Sequence, residues 1–413
     1  MRLSRVSLAT SPSPSRNVLV SKLSGIYIHI PFCARRCNYC DFTTWAIDAA
    51  PEGMTFETYT DALVSEIELA SRADSALRTV DTLYFGGGTP SLLPLNLLDR
   101  TLGALRVNFD LSDLAEFTLE ANPETLTEER LSAWREFGVT RLSIGIQSLS
   151  DRSLQVLGRG YTSGEALATL ARHLPMLSSF DLSFDLLLGL PWEPPERALL
   201  EIKELLSFRP CHFSLYGLKL EPSTPLGRRA ARDSSLAVDE DRIGDGLLSA
   251  TDFLAECGFV RYEVSNFAQP AHFCRHNLKY WRFAPYFGFG MSASGFDGRR
   301  RMCNFRDFAR YGGAVARGEL PWESVEELPE EELLFQRLML SFRTVWGAAY
   351  EEYPADVTTG LRARAISLAA RCPRLVRCGE TGVALTPAGM NVMHTLLLEL
   401  AEPAGLRSPL PAF

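Results

Sequence analysis

Residues 27–41 read Tyr-Ile-His-Ile-Pro-Phe-Cys-Ala-Arg-Arg-Cys-Asn-Tyr-Cys-Asp. The apolar run Ile26 to Ile30 has the composition of a strand. Directly after it, Cys33, Cys37 and Cys40 form C-x-x-x-C-x-x-C. Three thiolates on one loop can each take one iron of a cubane, and no fourth cysteine lies nearby. The fourth iron of a [4Fe-4S] cluster would then stay open for a ligand. The alternative is zinc, which normally wants four ligands in two separated pairs.

Outward from this loop, β-rich runs alternate with segments of helical period. The runs are Ile26 to Ile30, Val80 to Phe85, Phe117 to Glu120, Arg141 to Ile146, Phe180 to Leu188 and His212 to Leu218. Between the first two, Tyr59, Leu63, Ile67 and Ala70 recur at spacings of three and four, one face of a helix. Further helices are expected over Leu95–Leu105, Glu128–Phe137, Ser163–Leu177 and Arg197–Phe208. This alternation implies an α/β fold with a parallel sheet. Near-continuous apolar character, as in Leu186-Leu187-Leu188, indicates burial on both faces. A partial TIM-like barrel of six β/α units would gather every strand's C-terminal end on one rim, where barrel enzymes place their chemistry.

The chain has 413 residues, more than one core of roughly 250–300 residues accommodates. After about Glu221 the rhythm changes: a helix-like stretch over Val238–Cys257, an irregular aromatic-rich block over 262–305, then an acid-rich connector over 319–332. The last 80 or so residues read helix, helix, strand, Gly-Glu-Thr-Gly turn, strand, helix, a winged-helix-like order with few basic residues. The expected division is a disordered basic start (1–24), a core (25–220), a linking region (221–330) and the C-terminal α+β module (331–413). The start is serine-rich and free of acid, a composition shared with organellar transit peptides.

A net charge of −8 argues against a nucleic-acid or membrane-surface binder. No apolar run reaches the length of a membrane span. Nine cysteines, three of them crowded into eight residues, suit metal ligation in a reducing compartment, with the cytoplasm the expected location.

A second block, Gly86-Gly87-Gly88-Thr89-Pro90-Ser91, follows the strand Val80 to Phe85. Glycines there let the backbone approach a ligand, and their amides could meet its polar groups. The two blocks together resemble the radical S-adenosylmethionine (SAM) proteins related to oxygen-independent coproporphyrinogen III oxidase. In that superfamily the cluster cleaves SAM to methionine and a 5'-deoxyadenosyl radical. The resemblance implies that Gly87, Gly88 and Thr89 belong to the methionyl-binding segment. It further assigns Glu120, Gln147, Arg159 and Asp185 to SAM, with Tyr27 before the cluster and Tyr39 within its loop. A guanidinium forks onto a carboxylate, so Arg159 is the choice for the methionyl carboxylate.

The oxidases of this family usually continue the motif to C-x-x-x-C-x-x-C-x-C, whereas residue 42 here is Phe. That absence resembles the HemW-type heme chaperones, which bind heme and pass it to acceptor proteins. The stretches Tyr262–Ala268 and Cys274-Arg275-His276-Asn277-Leu278-Lys279-Tyr280-Trp281 are similar to that branch too. An imidazole or thiolate can ligate heme iron, so His276 is the first candidate ligand and Cys274 the second. The competing reading makes this block a junction between barrel and tail. The chain departs from the branch at Ser292-Ala293-Ser294-Gly295 and at Tyr161, where histidines are common. The Cys372-Pro373 dipeptide reads as a loop proline. The resemblance spans roughly 25–400 and implies three ligands, namely the cluster, SAM and heme. Its partners would be a heme-acceptor protein and an electron donor such as flavodoxin or ferredoxin, with a homodimer allowed. The alternative function is coproporphyrinogen III oxidation; a methyltransferase or a heme-degrading enzyme has no positive sign in the sequence.

Overall fold

The computed structural model describes residues 23–71 and 77–401. Most of the basic start expected over 1–24 lies outside the described residues, and Ser24 already opens the first strand.

Six strands pair in parallel in chain order: β1 (Ser24–Ile30), β2 (Val80–Gly87), β3 (Glu116–Ala121), β4 (Arg141–Gln147), β5 (Asp181–Leu188) and β6 (His212–Gly217). Between them run α1 (Phe56–Ser71), α2 (Leu95–Asn108), α3 (Glu128–Phe137), α4 (Asp151–Leu157), α5 (Ser163–Leu177) and α6 (Arg197–Leu205). The apolar faces anticipated from periodicity are the buried ones: Tyr59, Leu63, Ile67 and Ala70 of α1 pack into one core with Ile26, Ile28, Phe85, Leu119, Ile144, Phe184 and Leu215. Local chemistry ends the helices where the site needs turns. Thr162 and Glu165 form a capping box at the start of α5. Gly138 and Gly158 close α3 and α4 in the left-handed conformation that glycine adopts without steric cost.

The sheet continues past this barrel core at both edges. After α7 (Glu240–Glu256) come β7 (Val260–Arg261) and β8 (Asn266–Ala268), and β8 pairs antiparallel with β6. The chain then crosses under the barrel through α8 (Arg275–Trp281) and returns as β9 (Tyr286–Phe289), parallel to β1 on its other edge. Antiparallel strands β10 (Ser294–Phe296), β11 (Arg300–Asn304) and β12 (Trp322–Glu327) follow. The twelve strands lie in the order β12-β11-β10-β9-β1-β2-β3-β4-β5-β6-β8-β7. This corrects the reading of 262–305 as irregular and of 319–332 as a mere connector. Each of these strands is only two to six residues long, and Gly288 and Gly295 interrupt the alternation that marks a strand. Neighbouring strands, more than local pattern, define them. Gly288 cannot carry a side chain, since a Cβ there would fall 2.0 Å from the Ser294 carbonyl oxygen.

The C-terminal residues form the expected helix, helix, hairpin, helix order: Glu330–Ser341, Ala355–Arg371, strands Val376–Cys378 and Gly382–Leu385, then two short helices ending at Ala401. A two-residue strand, Ala348–Ala349, adds a third member to that small antiparallel sheet, and the unit has its own apolar core around Leu338, Leu361, Leu385 and Leu400. Among the described residues, no helix is long and apolar enough to cross a membrane.

Candidate functional site

The cysteine loop lies over the C-terminal ends of the parallel strands, and its shape is set by backbone hydrogen bonds to three neighbours. Gly88 N–H donates to the Ile30 carbonyl (2.8 Å) and Thr89 N–H to that of Phe32 (2.7 Å). Trp45 N–H donates to Pro31 O (2.8 Å), and His29 Nε2 meets the Thr43 carbonyl at 2.9 Å. On the far side Asn38, inside the cysteine motif, grips the end of α4: its backbone N–H donates to Leu157 O (2.8 Å) and its Nδ2 to Val156 O (2.9 Å). Gly158 has no Cβ because one would sit 3.0 Å from the Asn38 side chain. The left-handed turn at Gly158 then delivers Arg159 to the loop.

The glycine block does a job the sequence reading did not assign. Its amides are taken up by the protein: Gly87 N–H goes to Glu120 Oε2 (3.1 Å), and those of Gly88 and Thr89 to the loop carbonyls. A Cβ on Gly88 would come within 2.6 Å of Phe32 O and 3.0 Å of Cys33 Sγ. On Gly87, which has φ +111°, it would strike the His29 ring at 2.6 Å. These glycines let the second strand press against the cysteine loop.

Below the loop opens a cavity of about 610 Å³. It is lined by Cys33, Cys37, Tyr39 and Cys40, by Gly87, Gly88 and Thr89, and by Glu120, Gln147, Arg159 and Asp185. Eleven residues singled out from sequence therefore meet in one space. Tyr27 stands just behind it, stacked on Tyr84 and with its hydroxyl 3.1 Å from His29 Nδ1.

The polar groups are strongly biased by burial. Glu120 accepts from Tyr84 OH (2.7 Å), yet burial, with the nearby Asp185 charge adding, pushes its carboxyl up to about 7. Asp185 accepts from Ser143 Oγ (3.0 Å) and is pushed by burial up to about 6. Burial also raises the Cys33 thiol to about 11, so a metal assembling on this loop must displace its proton. Gln147 closes β4 with φ +66°, next to an irregularity in the pairing with β5. A non-glycine residue held in that conformation is a strain that clusters at ligand sites.

Arg159 departs from the forked geometry expected of it. Nη2 donates to Asn122 Oδ1 (2.6 Å) and to Gly145 O (2.9 Å), Nε to Tyr161 OH (3.2 Å), and Nη1 to Cys37 Sγ (3.4 Å). One Nη1 hydrogen is left for a ligand. Asn122 and Tyr161, which hold this guanidinium in place, were not singled out as site residues. Asn122 lies in the Leu-Glu-Ala-Asn-Pro run two residues past Glu120, just beyond the end of β3, and only three-dimensional proximity reveals it.

The structure places His276 and Cys274 elsewhere. Both lie at the N-terminal ends of the strands, beneath the barrel. His276 is fully buried, with Nδ1 2.9 Å from Thr82 Oγ1 and Nε2 2.9 Å from Tyr280 OH. Burial, with Lys279 adding, drives its imidazole down to about 3, so it is neutral. The Cys274 thiol faces Glu116 Oε1 at 3.5 Å, and that carboxylate also accepts the backbone N–H groups of Arg275 (2.8 Å) and His276 (2.9 Å). In this conformation neither side chain borders the cavity, and the block closes the barrel floor.

Three cysteines on one loop facing a polar cavity, with fixed carboxylates and a guanidinium around it, suit an iron–sulfur cluster and its nucleotide ligand, and they define a radical SAM protein. The Radical SAM superfamily model matches residues 27–200. Among relatives, Heme chaperone HemW of Mycobacterium tuberculosis (strain H37Rv) is 35% identical over 319 residues, 77% of this chain and 81% of that protein. Heme chaperone HemW of Escherichia coli K12 is 38% identical over 272 residues, 65% of this chain and 69% of that one. The mouse protein named radical S-adenosyl methionine domain-containing protein 1, mitochondrial, is 38% identical over 289 residues, 70% and 63% of the two chains. The chain belongs to the HemW family. Of solved structures, the E. coli coproporphyrinogen III oxidase HemN, a radical SAM enzyme, matches with a TM-score of 0.77 at 22% identity over 92% of this chain and 90% of that one, a likeness of fold.

Proposed function

We propose that this protein is a heme chaperone. It would carry a [4Fe-4S] cluster on Cys33, Cys37 and Cys40, bind SAM in the cavity below, bind heme, and hand the heme to an acceptor protein. The chemistry that such a cluster supplies is one-electron reductive cleavage of SAM. The chain's own residues bind and orient. Glu120 and Asp185 would accept from the ribose hydroxyls or the amino group, Gln147 adds an amide, and Arg159 holds the Cys37 sulfur while offering its last Nη1 hydrogen to the methionyl carboxylate. An electron donor of the flavodoxin or ferredoxin type would serve the cluster. A reducing cytoplasm suits the nine cysteines, none of which is in a disulfide.

The observation that carries this reading against the oxidase is Phe42. It stands where the related oxidases carry a further cysteine, is 60% exposed, and lines the cavity at the loop. The names of the relatives at 35–38% identity point the same way. For His276 to ligate heme iron, its bonds to Thr82 and Tyr280 would have to break and α8 leave the barrel floor. The test is a paired assay on one anaerobic, cluster-loaded preparation: heme binding by absorbance, and conversion of coproporphyrinogen III to protoporphyrinogen IX. Heme binding without conversion is expected; robust conversion overturns the chaperone reading.

A further inference from the structure

At the rim of the barrel opposite the cysteine loop, three side chains of metal-binding type converge. Asp181 is the first residue of β5, Cys211 immediately precedes β6, and His272 lies in the turn after β8. One ligand atom from each lies within 4.8 Å of the others. These strands are neighbours in the sheet, and the ladder fixes the spacing of the three residues. Cys211 N–H donates to Leu182 O (3.0 Å), Gln269 N–H to Cys211 O (2.9 Å), and His272 N–H to Gln269 O (3.0 Å). Sites built on strand ends hold their geometry better than sites on free loops.

We propose that Asp181, Cys211 and His272 bind one zinc ion, separate from the cluster and SAM site. A thiolate, an imidazole and a carboxylate are the donors zinc takes, and three protein ligands leave its fourth position to water. The ion can enter from solvent, because the side chains of Asp181 and His272 are 36% and 39% exposed. Next to them lies an open cavity of about 340 Å³ bordered by Asp181, Ala271 and Phe273. The His272 Nδ1 to Asp181 Oδ1 contact is 2.8 Å. It must open to roughly 3.3 Å for two ligands each ~2.0 Å from a tetrahedral ion. On binding, Cys211 releases its thiol proton to solvent, and His272 gives up the Nδ1 proton it shares with Asp181, leaving the neutral imidazole protonated on Nε2.

Arg141 is the obvious obstacle, with Nη2 3.3 Å from Asp181 Oδ2. Its charge is already matched, however, by Glu116, whose Oε2 lies 3.4 Å from Nε, and Nη2 also donates to the His272 carbonyl at 2.7 Å. Arg141 thus braces one oxygen of Asp181 and the backbone of His272, while Oδ1 stays turned toward the other two ligands. With the Arg141–Glu116 pair neutral, Asp181 and the Cys211 thiolate supply two negative charges to a doubly positive ion.

The test uses the cluster-loaded full chain, so that Cys33, Cys37 and Cys40 are occupied by iron. Equilibrium dialysis against zinc should give one zinc per chain beyond the iron, with affinity lowered at least tenfold in Cys211→Ser and in His272→Ala. Iron content should be unchanged in both. X-ray absorption at the zinc edge should show one sulfur among nitrogen and oxygen neighbours. His272 is half exposed, so its variant keeps the test open if Cys211→Ser misfolds. No zinc beyond the iron, equal binding by a folded variant, or a shell with no sulfur or several would overturn the site.

Discussion

Nη1 of Arg159 lies 3.4 Å from Sγ of Cys37, joining the turn after α4 to the loop that would carry the cluster. A donor and a positive charge at a cluster sulfur stabilise the reduced form, since hydrogen bonds to the sulfurs and net charge set the potential. Arg159→Gln should therefore keep its iron but show a lower midpoint potential and weaker SAM binding. Electron paramagnetic resonance during a redox titration reads the first, and an unchanged potential would remove Arg159 from the cluster's surroundings.

Replacing Cys33, Cys37 or Cys40 singly with Ala should abolish the cluster. Iron and sulfide content after anaerobic reconstitution is the measurement. Full content in all three variants would contradict the ligand assignment.

Gly88→Ala places a methyl group 2.6 Å from Phe32 O. Overpacking of this kind costs ~1–3 kcal/mol. A lowered urea midpoint together with poorer cluster retention is expected, because the methyl also pushes on Cys33. Wild-type values for both would show that the loop has slack.

Burial leaves Glu120 titrating at about 7 and Asp185 at about 6. SAM carries positive charge on its sulfonium and amino group, so it favours the ionised carboxylates. Its affinity should fall as pH drops through 7 and then 6, and Glu120→Gln should abolish the upper part of that fall. Calorimetric titration across this range checks it; a flat profile would place the ligand's cationic groups away from both acids.

His276→Ala removes the buried partner of both Thr82 and Tyr280. Leaving such groups unpaired costs ~1–3 kcal/mol each. The protein should melt earlier while its heme absorbance spectrum stays as in wild type. Loss of the heme spectrum in a folded variant would restore His276 as a ligand.

What could be read from the sequence follows the range of the interactions involved. The alternation of β1 to β6 with helices, and the face of α1 carrying Tyr59, Leu63 and Ile67, are local periodicities and were legible. The cavity residues were legible through the family resemblance, and parallel strands, which put their C-terminal ends together whatever lies between them, explain why they meet. The committed amides of Gly88 and Thr89, the bracing of Arg159 by Asn122 and Tyr161, and the positive φ of Gln147 depend on which loop lies against which, and no spacing announces that. Of the strands from Tyr286 to Glu327, β9 is defined by β1, more than 250 residues away in the chain; β10 to β12 pair with chain neighbours, but they are short and Gly295 breaks the alternation of β10.

The edge pairing of β1 with β9 bears on biosynthesis. The first strand emerges from the ribosome more than 250 residues before the partner that covers its outer side. Until Phe289 is synthesised, a hydrophobic strand ending at the cysteine loop keeps a bare row of backbone donors and acceptors, the kind of border that invites aggregation. A fragment stopping at Gly217, which lacks that covering strand, should therefore precipitate where the full chain does not.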